Sequence, residues 1–313
     1  MIMEKHHPLV TVGVATYNSS RFIIEALNSI YNQTYDNIEL IISDDASSDE
    51  TVKFVQDWLA LNKTRFARFN VITVNKNTGT SFNLNRIIKE ATGEWIKFIA
   101  GDDVLLPNCI TDNISYISSH REVKWLFSKA IFYKNTIAED CIIESKTEMF
   151  KMYSDLNNID ADEQFKRNYI GNYFKAPTHF FRKDLLDELG GFDEEFGILE
   201  DYPMWLKILS KGEKCYFYDD NTVGYRFSDT NMSMYNDRLV NRKMFYLTYN
   251  VQRKYILNVC PLPYKMNIIL RYNINRLFSV PFLNKKTKIR LLVYRFLLRS
   301  ADIATFGHIY QNR

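Results

Sequence analysis

The stretch IELIISDDASSDET, residues 38–51, decides the fold. An apolar, β-prone run ends on two adjacent carboxylates, Asp44 and Asp45, and the chain then turns through small polar residues. Two like charges resist being taken out of water together. The run therefore reads as a buried strand that stops at its rim, with the acids standing where a ligand can use them. Upstream, LVTVGVAT (9–16) is a second such run, ending at Tyr17-Asn18-Ser19-Ser20. Phe22, Ile23, Ala26, Leu27 and Ile30 follow at the three-to-four spacing of one helix face. Downstream, Ser47 and Glu50 have the spacing of a capping box and predict a helix carrying Val52, Phe54, Val55, Trp58 and Leu59. FNVITVN (69–75) reads as a strand, SFNLNRIIKEA (81–91) as a helix stopped near Gly93, and WIKFIAG (95–101) as a fourth strand. This alternation predicts an α/β fold with a mainly parallel sheet covered by helices on both faces. Ligands of such sheets bind at the carboxyl ends of the strands, where Asp44-Asp45 and Asp102-Asp103 both fall.

Beyond residue 120 the order is less regular. WLFSKAIFY (125–133) and THFFRK (178–183) predict strands, and DLLDEL (184–189) a helix stopped by Gly190-Gly191. Residues 137–175 carry no clear period. A helix follows Glu200-Asp201, with Pro203 in its first turn and Gly212 as its C-terminal stop. Trp205, Ile208 and Leu209 share one face of it, as core residues do, and His179 reads as an interior histidine. From about residue 236 the chain reads as helical. Two regions are expected: a nucleotide-binding domain over 1–235 and a helical, basic region over 236–313.

At this point the motifs resemble those of the family 2 inverting glycosyltransferases of the bacterial surface-polysaccharide type. Thr16-Tyr17-Asn18, Ser29-Ile30-Tyr31-Asn32-Gln33-Thr34 and Asp44-Asp45-Ala46-Ser47-Ser48-Asp49 follow one another in that family's order. Asn77-Thr78-Gly79, Asn85, Ala91-Thr92-Gly93-Glu94, Gly101-Asp102-Asp103, Gly190-Gly191-Phe192-Asp193 and Glu200-Asp201 ahead of Trp205 continue it over residues 8–235. The resemblance implies a GT-A fold and a nucleotide-diphosphate sugar donor. It assigns donor binding to Thr16, Tyr17, Asn18, Asp44, Asp45, Asn85, Gly101 and Asp102. Of the Asp44-Asp45 pair, one is expected to touch the nucleotide and the other to tie down its loop. Asp102 is implied as the ligand of a Mg²⁺ or Mn²⁺ ion bridging to the diphosphate, and Asp201 as the general base on the acceptor hydroxyl. Glu200 and Gly191 are expected at the acceptor or its loop. The acceptor implied is a glycan or lipid-linked glycan of surface or capsular polysaccharide assembly. Two departures stand out: Ala100 replaces the first acid of an Asp-x-Asp motif, and Ser228 stands where relatives often carry His. They motivate a second reading, a catalytically weak subunit that binds nucleotide-sugar or glycan. Arg226 is read as a phosphate partner or a surface residue.

Composition sets further bounds. The chain has 313 residues and a net charge of +3. From Pro261 onward there are ten Lys and Arg against one acid, Asp302, so an acidic body carries a basic tail. Apolar clusters alternate with these cations, which suggests contact with an anionic membrane surface through residues 261–313, with Tyr255, Tyr264 and Phe282 at headgroup level. No motif points to nucleic acid. Neither a secretory signal nor a membrane span is read, the four scattered cysteines read as reduced thiols, and a cytoplasmic protein peripheral to the inner face of the membrane is expected. The composition leaves room for a homo-oligomer.

Overall fold

A computed structural model describes residues 7–144, 148–174, 178–227 and 238–306 of the chain. Eight strands form one sheet: β1 (Val10–Thr16), β2 (Ile38–Asp44), β3 (Arg68–Thr73), β4 (Trp95–Ala100), β5 (Val104–Leu105), β6 (Trp125–Lys134), β7 (Phe180–Arg182) and β8 (Tyr216–Phe227), in the order 3-2-1-4-7-6-8-5. The first four are parallel, as the alternating sequence predicts. The second half departs from that expectation: β7 runs antiparallel to β4 and β6, and β5 antiparallel to β8. The register sets Thr16 beside Asp44 and Ala15 beside Ala100, so the carboxyl ends of β1, β2 and β4 finish level with one another.

Helices α1 (Ile23–Tyr31), α2 (Thr51–Asn62), α3 (Thr80–Glu90) and α4 (Cys109–Ser119) connect and cover this half. Each buries the apolar stripe its period implies; Ile23, Ala26, Leu27 and Ile30 of α1 are all inaccessible to solvent. The capping box does not form. Glu50 makes no cap bond, and Ser47 Oγ instead donates to Asp44 and accepts from the Asn18 amide. Asp49 holds the start of α2, accepting from the Thr51 amide and hydroxyl and from the Ser20 amide.

The described part of the aperiodic segment contains short 3-10 turns and the helix α5 (Ala161–Arg167), capped by Asp160, which accepts from the Glu163 amide. Then come α6 (Lys183–Glu188) and α7 (Asp201–Ser210). β8 is a strand that periodicity did not reveal, because Asp219, Asp220 and Asn221 interrupt its apolar run and the pairing with β6 is irregular there. An aromatic core fills the space under this half. Trp125 stacks on Trp205 at 5.1 Å, and the His179 ring lies 4.0 Å from Trp205, its Nδ1 accepting from Trp125 Nε1 at 2.8 Å. His179 is thus an interior residue, held neutral because burial and the charge of Lys97 push its pKa well down.

The last region is helical, as expected: α8 (Arg242–Tyr255), α9 (Leu262–Phe278), α10 (Pro281–Asn284) and α11 (Lys288–Phe306). Tyr255 and Tyr264 do not point to a membrane surface. Tyr255 donates to Asp193 Oδ2 at 2.7 Å, and Tyr264 packs edge-on against Tyr169 at 5.0 Å. The four cysteines are free thiols.

Candidate active site

The rim of β1 and β2 is a knot of side chain to backbone bonds. Asp44 accepts from Thr16 Oγ1 at 2.8 Å and from the Ser47 amide at 2.8 Å. Asp45 accepts from the Thr78 amide and hydroxyl, the Gly79 amide and Arg86 Nη2, all at 2.7–3.0 Å. Burial pulls the Asp45 pKa up, but those donors outweigh it and hold the carboxyl below its ordinary value. Both acids are therefore buried and both fasten loops. Asp45 pins the 78–79 turn, where Gly79 has φ +97° and opens α3. Tyr17 is 51% exposed on this rim. Asn18 takes the left-handed conformation, and its Oδ1 receives the Ser48 amide at 2.8 Å. Gly101 packs where a Cβ would fall 2.9 Å from Ser19 Oγ and 3.0 Å from Thr16 Cγ2, so the end of β4 sits directly against the end of β1.

Asp102 and Asp103 follow. Asp103 is buried and accepts from the Arg226 amide at 2.8 Å; Asp102 is half-buried. Burial raises both pKa values, Asp103 further because Asp102 stands beside it, while the Arg226 charge opposes the shift in each. Arg226 is itself 2% exposed, which rules out the surface role. Its Nε donates to the Asp102 carbonyl at 2.7 Å, Nη1 to the Asn135 carbonyl and Nη2 to Glu25, and it lies over the Phe22 ring at 4.2 Å. The guanidinium fork is thus a bolt joining the acid turn to α1. Ser228, the second departure from the family pattern, lies outside the described residues.

The second acid pair opens α7. Burial, and then the Asp201 charge, push the Glu200 pKa up to about 8, so near neutral pH Glu200 keeps its proton. Asp201 Oδ2 accepts from Asn172 Nδ2 at 2.6 Å and Oδ1 from the Tyr202 amide at 2.7 Å. The two pairs meet across Tyr225 of β8. Its hydroxyl pKa is raised by burial and then by the charges of Asp103, Asp102, Glu200 and Asp201. All four acids thus lie within electrostatic reach of one phenol. Neither Tyr225 nor Asn172 is given a role by the sequence: Tyr225 stands in the Tyr225-Arg226-Phe227-Ser228 stretch read only for Arg226 and Ser228, and Asn172 lies in the aperiodic segment.

Asn85 faces the other side of α3. Its Oδ1 accepts the Phe192 amide at 2.7 Å and its Nδ2 donates to the Phe192 carbonyl at 2.9 Å, fixing the loop after α6. Gly191, at φ +72°, lies so close that a Cβ would come within 2.4 Å of Asn85 Oδ1. A polar hollow of about 490 Å³ opens here between Asn85, Gly190, Asp193, Lys207 and Lys254; none of Thr16, Asp45, Asp102 or Asp201 lines it.

Among the described residues no three His, Cys, Asp or Glu side chains converge into a ready-made metal cage. The donor chemistry still fits a hard cation. Asp102 is a partly desolvated carboxyl beside the buried Asp103, and a divalent ion bound by one carboxylate, water and a substrate's phosphate oxygens needs no cage. Ala100 contributes no ligand.

Acid pairs after β2 and β4 and a third at the start of α7, on a mixed α/β sheet, agree with the GT-A expectation. The sequence profile of Glycosyl transferase family 2 matches residues 11–190, and the chain belongs to that family. It is 31% identical over 208 residues to UDP-Glc:alpha-D-GlcNAc-diphosphoundecaprenol beta-1,3-glucosyltransferase WfaP of Escherichia coli, covering 66% of this chain and 72% of the relative. The fold matches S. aureus TarS 1-349 in complex with UDP-GlcNAc at a TM-score of 0.61 and 20% identity, over 95% of this chain and 81% of that 1-349 chain. It also matches the mannosyltransferase PcManGT from Pyrobaculum calidifontis, in complex with GDP-Man and Mn²⁺, at 0.54 and 18% identity, over 96% and 74%. The protein is a family 2 glycosyltransferase.

Proposed function

We propose that this enzyme moves a sugar from a nucleoside-diphosphate donor to a hydroxyl of a lipid-linked glycan, with inversion at the anomeric carbon, in surface or capsular polysaccharide assembly. The observation that carries this reading is the match to Glycosyl transferase family 2 over residues 11–190, with Asp102 just after the end of β4 and Asp201 held by Asn172. WfaP is named for a UDP-glucose donor and a diphosphoundecaprenol-linked acceptor, and TarS was solved with UDP-GlcNAc, which supports the same classes here.

Asp201 takes the proton of the acceptor hydroxyl as that oxygen attacks the anomeric carbon. A new glycosidic bond forms on the face opposite the breaking bond, and the nucleoside diphosphate departs with the bonding electrons. Burial and the neighbouring Asp201 charge favour the protonated form of Glu200. Asn172 holds the Asp201 carboxylate by one oxygen. Asp102 would hold Mg²⁺ or Mn²⁺ together with the donor's phosphate oxygens; when bound, such an ion neutralises the charge that builds on the diphosphate. Tyr17, exposed on the rim, and the backbone around Thr16 and Asn18 face the nucleoside. Asp44 and Asp45 act on it through the loops they hold, Asn85 shapes the donor pocket through the Phe192 loop, Gly191 lies at the acceptor loop, and Gly101 keeps β4 close to β1.

The test is a thermal-shift titration with UDP-glucose, UDP-GlcNAc and GDP-mannose, with and without Mn²⁺. It is followed by transfer to diphosphoundecaprenol-linked GlcNAc. Asp201→Asn is expected to keep the donor-induced shift and lose transfer, and Asp102→Ala to lose the Mn²⁺-dependent part of the shift. Donor binding without turnover in the unaltered protein, under every donor and metal, would favour the nucleotide-sugar-binding subunit instead.

A further inference from the structure

We propose that the hairpin of α9 and α11 is a docking face for anionic lipid bilayers. Its two helices bury Ile268, Phe278, Leu298 and Ala301 together with a polar network. The sides that face each other carry polar groups: Asn267 Nδ2 and the Arg271 guanidinium reach the Asp302 carboxylate at 3.0–3.1 Å, and Tyr294 donates to Asn275 Oδ1 at 2.7 Å. These pairings join the early part of each helix to the late part of the other, so the two run antiparallel.

The outward sides are apolar. On α9, Leu262, Met266, Ile269, Leu270 and Leu277 are all exposed and recur at the spacing of a single helix face. On α11, Ile289, Leu292, Val293, Phe296 and Ile303 do the same. Phe282 of α10, in the turn between them, is 75% exposed. Of the 19 exposed large hydrophobic residues among those described, 13 fall between residues 259 and 303, so the apolar surface is concentrated here rather than scattered.

Charge selects the occupant. Lys265 and Arg276 flank the α9 strip, Lys288, Arg295 and Arg299 flank that of α11, and Lys285 and Lys286 stand at the turn, all exposed. The single acid of the hairpin, Asp302, is buried and paired with Arg271. A second copy laid on this face would set cation against cation. Anionic headgroups complement it, with the Lys and Arg stems lying along apolar surface and their heads reaching phosphate. No helix among the described residues is long and apolar enough to cross a membrane, so the face lies on the bilayer and does not span it. The docking is a property of these helices and holds whatever the acid cleft does.

The purified full chain is centrifuged with vesicles of phosphatidylcholine alone and of phosphatidylcholine mixed with phosphatidylglycerol, at low and high salt. Binding to the mixed vesicles is expected to be at least about tenfold stronger and to weaken with salt. Phe282→Ser combined with Phe296→Ser lowers it by about tenfold. Replacing Lys285, Lys286 and Lys288 by Ala removes most of the preference for phosphatidylglycerol. All these positions are exposed, so circular dichroism and Tm stay unchanged and report that the fold is intact. Absence of binding to mixed vesicles at low salt, or binding undiminished in the double Phe variant, overturns the proposal. So does a dimer in light scattering that the same variant dissociates, which would give the strips to a second copy.

Discussion

Asn172 Nδ2 donates to Asp201 Oδ2 at 2.6 Å, across 29 residues of sequence. The acid at the start of α7 is thereby aimed by a residue from the aperiodic segment. The Oδ1 of the same amide is buried and has no hydrogen-bond partner in the structure. A hydrogen bond to a charged group contributes about 1.5–3 kcal/mol. Asn172→Ala is expected to lower kcat by about ten- to a hundredfold with a smaller change in donor KM. Steady-state kinetics check it, and a variant that changes only KM would place Asn172 outside the base's support.

Glu200 supplies a stability signature. Its unfolded-state value is 4.5 and its folded value about 8. A carboxyl whose pKa is raised by folding leaves the folded state unpenalised below the unfolded value; the penalty then grows as pH rises toward the folded one. Glu200→Gln removes that penalty. The Tm advantage of the variant is expected to be near zero at pH 4.5 and to increase up to about pH 8, as read by thermal denaturation across that range.

The opposite sign holds at the amino end of β2. Glu39 is fully buried and accepts from Thr11 Oγ1, from the Thr92 amide and hydroxyl, and from Arg68. Burial raises its pKa, but these bonds together bring it below the ordinary value. Its contribution is therefore present above the unfolded value of 4.5 and fades as pH falls through the lower folded value. Glu39→Gln is expected to cost about 3 kcal/mol at neutral pH, because it breaks a buried ion pair. The gap to the parent protein should narrow in acid, as denaturant titrations at both pH values would measure.

Arg226 joins the acid turn to α1 through Asp102, Glu25 and the Asn135 carbonyl. Lysine cannot reproduce a planar fork with three separate acceptors. Arg226→Lys is expected to lower stability by about 3 kcal/mol and to weaken the Mn²⁺-dependent thermal shift, since Asp102 loses its anchor.

Gly191→Ala would set a methyl group against Asn85 Oδ1 at a backbone angle of +72°. Strain of this kind costs about 1–3 kcal/mol. A matching fall in Tm is expected, and Asn85→Ser should relieve part of the steric share in a double-mutant cycle.

The sequence by itself determined the first half of this protein. β1 to β4 and α1 to α3 are legible because each is local: a period of two or of 3.6 and a polar stop are properties of neighbouring residues. The order of short motifs pointed in the same way to the family. Only the tertiary structure decided the rest. β8 was hidden because its irregular pairing with β6 tolerates polar residues in mid-strand. Asp44 and Asp45 both turned inward, because the donors that bury them come from loops far along the chain, at Thr78, Gly79 and Arg86 for Asp45. Asn172, Tyr225 and the bolt of Arg226 became part of the site only when β8 folded beside β5 and β6. Hydrogen bonding and electrostatic reach depend on distance in space, and separation along a sequence carries no record of that.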